Sequence, residues 1–379
     1  MYTTLLLLLL LLASCNVGSG GGFGDVSAVA DAPGEATPVA DVPGEATTVQ
    51  DVPGEMPPTA DAVWDVSGDV PVQNDLHVAD ADVGPQPAGT FNFAVIADPH
   101  IIDDFYPPGP DNGDLNIGSL FETRENLAHV RDHINLLNET LPLDFVLVAG
   151  DLFHNYPKRE EDWDWYMETR TRMDIAREIL DGLHMPWYWT PGNHDYDVPS
   201  ISREFSHRLF KEKYGTAPFY ALEHKGWRFL ACNSQVGETW DPESPLYNKS
   251  KGSFGAEQLL WVEEQLALGQ PTVAFWHHPF FVCATEETGG ANILSILETR
   301  DNLLMSFTGH THLWMNAEPV FQYRTRTVGS TRYDRDAYLI VQAHGETRSL
   351  EYLNDTCIQW GTNWSDPYFP DVPCVGSSD

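Results

Sequence analysis

Positive charge is missing from the first third of this chain. No Lys or Arg precedes Arg124, and the whole sequence sets 21 Lys and Arg against 56 Asp and Glu, a formal net charge of −35. That balance excludes the basic footprint by which proteins grip polynucleotide backbones, so no nucleic-acid polymer is an expected partner. Cysteine is scarce as well: five in 379 residues, none spaced Cys-x-x-Cys, which argues against a thiolate-held metal. Leu5–Leu12 is an unbroken run of eight leucines, too short to span a bilayer as a helix.

What is present divides the chain into four stretches. Residues 1–15 read as a signal peptide, the leucine run serving as its apolar core. Leu12-Ala13-Ser14-Cys15 resembles the bacterial lipobox, although Met1-Tyr2-Thr3-Thr4 lacks the usual positive charge. The resemblance implies a lipid on Cys15 as the sole membrane contact, and Asn16 after it leans towards a Gram-negative outer membrane. The alternative is an ordinary signal peptide and a secreted protein. Residues 16–88 form an acidic tether in which Asp31-Ala-Pro-Gly-Glu, Asp41-Val-Pro-Gly-Glu and Asp51-Val-Pro-Gly-Glu recur every ten residues. So short a period, rich in Pro, Gly and carboxylate, cannot bury a core and stays extended and solvated. Residues 89–352 have the texture of an α/β domain, and 353–379 form a tail. In an oxidising compartment Cys232, Cys283, Cys357 and Cys374 allow three pairings. Cys357 with Cys374 would staple the tail; Cys232 and Cys283 either pair or remain buried thiols.

Within 89–352 five short polar segments each follow a strand-like apolar run: Asp98-Pro99-His100, Gly150-Asp151, Gly192-Asn193-His194-Asp195, His277-His278 and Gly309-His310-Thr311-His312. Strands are expected at 91–97, 145–149, 187–190, 219–222, 227–232, 272–276 and 303–307. Helices are expected over 120–137, as one long helix near 159–183, and at 255–267 and 293–299. Polar residues repeatedly delivered at strand ends are the layout of an α/β site. Carboxylates, imidazoles and one carboxamide together suit two divalent ions of the Mn, Fe, Zn or Co type.

This ordered set resembles the calcineurin-like metallophosphoesterases over roughly residues 90–345. The resemblance implies a four-layer αββα sandwich of two mixed sheets flanked by helices. It also implies that Asp98, His100 and His312 ligate a first metal, that Asn193, His277 and His310 ligate a second, and that Asp151 bridges them. A shared carboxylate offsets repulsion between two cations about 3.5–4 Å apart, while Asn193 gives an oxygen without further negative charge. His278 then takes a supporting role. His194 is placed beside a bound phosphate as a catalytic group, with Asp195 orienting it. The implied reaction is hydrolysis of a small phosphate mono- or diester by a metal-activated hydroxide. Three residues after the bridging aspartate, purple acid phosphatases of this superfamily carry an iron-binding tyrosine; here that position is His154, so a tyrosinate-iron site is not expected.

The substrate is less legible. Trp276, Phe280, Phe281 and Trp314 flank the motifs and either wall a base pocket or pack the core. Arg324 and Arg326 read as a solvated strand face, with Arg332 and Arg335 further candidates to reach phosphate. The loop 103–117 stands ready to gate the site. Alternatives to a general phosphoesterase are a cyclic-nucleotide or glycerophosphodiester phosphodiesterase, and a non-catalytic scaffold that keeps the fold. The oligomeric state is left open.

Overall fold

A computed structural model of the chain describes residues 88–106, 117–158, 160–284, 292–317 and 324–355. The expected signal peptide, the tether, the loop beyond residue 106 and the pair Cys357 and Cys374 lie outside the described residues. Strand β1 (Phe91–Ile96) shows how the layers arise. Its side chains alternate, and both faces are buried: Phe91, Phe93 and Val95 enter one apolar cluster, Ala94 and Ile96 another. A strand with two apolar faces must lie between two layers.

β1 runs parallel to β2 (Val146–Ala149), which runs parallel to β3 (Trp187–Thr190). The second sheet holds β4 (Tyr220–His224), β5 (Trp227–Ala231), β6 (Thr272–Phe275), β7 (Leu303–Thr308), β8 (Met315–Asn316) and β9 (Thr325–Thr327). On the free side of β1, β10 (Leu339–His344) pairs antiparallel and carries β11 (Ser349–Tyr352) with it. The orders are β11-β10-β1-β2-β3 and β4-β5-β6-β7-β9-β8, each sheet mixing parallel and antiparallel pairs. Between the sheets, Phe93, Phe145, Leu147 and Val341 meet Trp227, Phe229, Phe275 and Phe307.

Helices cover the outer faces. α1 (Thr123–Asn138) turns Leu127, Val130, Ile134 and Leu137 inward at helical spacing. It lies over the first sheet with α2 (Trp163–Glu168), α3 (Arg172–Leu180) and α4 (Arg203–Tyr214). α5 (Gly255–Ala267) and α6 (Ile293–Thr299) cover the second. The result is the four-layer α/β sandwich the resemblance implied, two mixed sheets flanked by helices.

The single long helix expected near 159–183 is instead two, α2 and α3. Thr171 starts the second one: Asp174 accepts from the Thr171 backbone N–H and hydroxyl, both at 2.9 Å. That reciprocal cap competes with helix continuation, so a local signal overrides the apolar spacing. The next residue, Arg172, is buried and binds the equally buried Asp103 through Nε at 2.9 Å and Nη2 at 3.0 Å. It also donates to the His154 carbonyl. Removing one member of such a pair leaves an uncompensated charge, worth about 3–5 kcal/mol, so Asp103 is fixed rather than part of a free loop.

The fold also decides between readings that the sequence left open. Cys232 and Cys283 are both buried thiols and form no disulfide; Cys283 Sγ lies 3.4 Å from the carbonyls of His278 and Pro279. Arg326 is no solvated strand residue: it is buried, stacked on Tyr352 and bonded to Asp355 at 3.0 Å. Trp276, Phe280 and Trp314 are buried core residues, Trp276 donating to the His278 carbonyl at 2.6 Å. Among the described residues no helix is long and apolar enough to cross a membrane.

Candidate metal centre

The polar motifs all follow parallel strands and meet at one edge of the sandwich. Backbone bonds knit the turns together: Asp98 N–H donates to Gly150 O at 3.1 Å, and His100 N–H to Asp151 O at 2.9 Å. Across the two sheets, His310 N–H donates to Asp98 Oδ1 at 2.9 Å. Asp98, His100, Asp151, His310 and His312 all have positive φ, between 50° and 72°. That is five residues of the expected seven in a conformation non-glycine residues avoid, and such local strain persists where surrounding structure over-determines it, commonly at functional sites.

The side chains form two groups sharing Asp151. In the first, His312 Nε2 lies 3.1 Å from His100 Nε2 and 3.4 Å from Asp98 Oδ1, and His100 Nε2 lies 3.5 Å from Asp151 Oδ2. In the second, His277 Nε2 lies 3.0 Å from Asn193 Oδ1 and 3.1 Å from Asp151 Oδ2, while His310 Nδ1 lies 2.8 Å from Asn193 Oδ1. These spacings approximate those of neighbouring ligands around an ion bound at about 2.0–2.2 Å. His277 supplies the test of fit. Its Nδ1 donates to the Ala149 carbonyl at 3.1 Å, so the neutral ring turns a lone pair on Nε2 towards two further acceptor oxygens. Three converging acceptors repel unless a proton or a cation lies among them. The residues present therefore fit a metal, and the Ala149 bond fixes the ligating tautomer.

Charge in the site is strongly coupled. Burial works to raise Asp151, but His277 and His194 outweigh it and hold the carboxyl well below its usual range. Burial works to lower His277, yet Asp151 beside it raises it to about 9. A cation entering at neutral pH therefore displaces a proton from this pair. Burial, with neighbouring imidazoles, keeps His100 and His310 low and hence neutral.

His194 sits at the edge of the cluster with its backbone N–H on Asp151 Oδ1 at 2.7 Å. Its expected partner, Asp195, is engaged elsewhere. The Asp195 carboxylate receives the backbone N–H groups of Leu152, Phe153 and Gly192 at 3.2, 2.9 and 2.7 Å, and so splices the β2 turn to the β3 turn. Asn155 orients His194 instead, with Oδ1 2.5 Å from His194 Nδ1. Asn155 Nδ2 lies 3.1 Å from His154 Nε2, and His154 Nδ1 lies 3.0 Å from His100 Nδ1. The chain runs in two directions according to which way the amide faces. Ligation through His100 Nε2 requires a proton on His100 Nδ1, which propagates through His154 and, with the amide turned, leaves His194 protonated on Nε2. Asn155 has no spacing in sequence that marks it, whereas His154 stands at a recognisable position three residues after Asp151, and its link between His100 and Asn155 arises only in the folded turn.

Several surrounding residues support the cluster. His278 Nδ1 is held by Ser234 Oγ at 2.9 Å and Gln235 Nε2 at 3.1 Å, and its ring lies 4.4 Å from that of His310. Arg332 is buried beside the site, its N–H 3.2 Å from the Asp98 carbonyl and its Nε on Ser119 at 2.8 Å. His224 and His344 serve structure, paired to Asp144 and Glu351.

The family model for calcineurin-like phosphoesterases matches residues 91–313. The chain is 27% identical over 253 residues to the glycerophosphodiester phosphodiesterase GpdQ of Enterobacter lignolyticus, covering 62% of this chain and 79% of that one. It is 25% identical over 189 residues to a probable glycerophosphodiester phosphodiesterase GpdQ of Arcobacter nitrofigilis, covering 48% and 60%. Among solved structures, a dimetal phosphatase from Danio rerio shares 16% identity at a TM-score of 0.44, over 68% of this chain and 93% of that one. Since the family match takes in more than half of the sequence and every strand that delivers a candidate ligand, the chain belongs to the calcineurin-like phosphoesterases and is a metal-dependent hydrolase of phosphoesters.

Proposed function

We propose that the protein is a two-metal phosphodiesterase acting on small soluble diesters with an alkyl leaving group, of the glycerophosphodiester class. The observation that carries the two-metal reading is the pair of donor sets meeting at Asp151. Asp98, His100, His312 and Asp151 would hold one ion, and Asn193, His277, His310 and Asp151 the other. Bound there, two ions would polarise phosphate oxygens and make a water nucleophilic at neutral pH. The two carboxylates only partly offset four positive charges, so the site would be electrophilic despite the acidity of the whole chain. The diester reading is supported by the names of the two curated relatives. Among the described residues, Trp276, Phe280 and Trp314 are spent on the core and themselves give no wall for a nucleobase.

His194 is the residue proposed to hold a proton for the departing oxygen, on Nε2, with Asn155 fixing its Nδ1. An alkoxide leaves poorly without that proton, whereas p-nitrophenolate leaves readily. His194→Ala is therefore expected to slow hydrolysis of glycerophosphoethanolamine by about 10²–10⁴-fold, the range of general acid catalysis, and bis-p-nitrophenyl phosphate much less. Rates would be measured on chelator-stripped protein resupplied with Mn, Zn, Co or Fe. Equal slowing of both substrates would remove the proton-donor role. Faster turnover of p-nitrophenyl phosphate than of either diester would overturn the diesterase reading.

We also propose export and a lipid on Cys15, supported by the leucine run, the lipobox-like sequence and the tether. Full-length chain expressed in a Gram-negative host should incorporate radiolabelled palmitate and fractionate with membranes, and Cys15→Ser should do neither. Equal labelling of both chains would reject the anchor.

A further inference from the structure

A second group of metal-ligating side chains lies outside the phosphoesterase centre. His129 and His133 are four residues apart on α1 and so share one face of the helix. Their rings lie 4.0 Å apart. Asp336, from the segment between β9 and β10, points its Oδ1 at both: 3.5 Å from His129 Nε2 and 3.2 Å from His133 Nδ1. Donor atoms bound tetrahedrally at about 2.0–2.1 Å stand about 3.3 Å from one another; the two His–Asp336 separations match this, and all three donor atoms lie within 4.8 Å of one another. All three side chains are partly exposed, so an ion can enter from solvent and complete its shell with water. The ligands come from two elements far apart in sequence.

We propose that His129, His133 and Asp336 bind a further transition-metal ion, of the Zn²⁺ class, which clips α1 to the segment 328–338. Two imidazoles and one carboxylate suit zinc and disfavour magnesium or calcium, which prefer all-oxygen shells. The clip has a definite structural consequence, because that segment braces the catalytic centre. Ser330 Oγ donates to the Asp98 carbonyl at 2.9 Å, and the Tyr333 ring lies 5.1 Å from that of His312. α1 already holds the segment through Asn126 Nδ2, which donates to the Arg332 carbonyl at 3.1 Å. A bound ion would add a further tie three residues beyond Tyr333.

The test is zinc content of the full chain, stripped with chelator, dialysed against buffered Zn²⁺ and assayed for metal per protein. His129→Gln/His133→Gln is expected to hold one ion fewer than the parent while keeping the parent's far-UV circular dichroism. Asp336→Asn, a smaller change on an exposed residue, is expected to weaken zinc binding at this site at least about tenfold. Because only the difference between parent and variant matters, the result is independent of how many ions the catalytic centre holds. Equal zinc content in the parent and both variants, over the same range of free Zn²⁺, would overturn the clip.

Discussion

Asp151→Asn should lose about three orders of magnitude in phosphodiester turnover while keeping its fold. The substitution preserves shape and volume, so packing around the side chain is unchanged. It removes the single carboxylate common to both donor groups. Asp151 Oδ2 lies 3.1 Å from His277 Nε2 and 3.5 Å from His100 Nε2, and Oδ1 accepts the His194 N–H at 2.7 Å. A carboxamide gives one oxygen and no charge, and two neighbouring cations would then face each other without a shared anion. Electrostatic stabilisation of this kind is worth several kcal/mol, and each 1.36 kcal/mol is about tenfold in rate. Metal content should fall in parallel, and His277, no longer raised by the Asp151 charge, should titrate lower. Retention of both bound metal and more than about a tenth of the rate would exclude the bridging role. Circular dichroism and a melting curve guard against a trivial unfolding result.

The second large effect is expected from a residue with no functional group. Gly192→Ala should cut turnover about a hundredfold or more, because a 1 Å misplacement of reacting groups costs on that order. Gly192 has φ −114°, which any residue adopts, so backbone strain plays no part. Space does. A Cβ added there would overlap Asp151 Oδ1 and the Asp151 N–H and come within 2.8 Å of the His277 ring. Neither neighbour can move without displacing a candidate ligand. Gly309 is confined in the same way, its added Cβ meeting Asp98 Oδ2 at 2.5 Å. Overpacking of this sort also costs about 1–3 kcal/mol of stability, so the melting temperature should drop modestly while activity collapses. Gly118→Ala is the matched control, since its Cβ would meet nothing within 4 Å. If Gly192→Ala and Gly118→Ala behave alike, the turn at Gly192 is not packed against the centre as described.

These two residues mark the division between what could be read in one dimension and what could not. Asp151 announces itself, standing directly after a fully apolar strand and a glycine. The clash at Gly192 depends on the β2 and β3 turns lying against each other. The same contrast holds between His194 and Asn155. His194 is visible because it follows Asn193 in a motif, whereas Asn155 gains its place only when the turn after β2 folds back towards that motif. Asp195 illustrates the converse. Adjacency in sequence suggested that it orients His194, but its carboxylate is consumed by three backbone donors that only the folded turns bring together.

From the sequence by itself came the α/β class, the order of the polar motifs and the chemical types of the seven candidate ligands. Those depend on side-chain chemistry and on the two-residue period of strands, both written locally. Tertiary structure decided which atoms meet. The His310 N–H reaches Asp98 across 212 residues of chain, and Asp336 reaches His133 from another element altogether. It also decided that Arg172 and Arg326 are buried, and that Cys232 and Cys283 stay buried thiols rather than forming a disulfide. Such outcomes follow from closing two sheets upon each other, a long-range event for which no local spacing provides a signature.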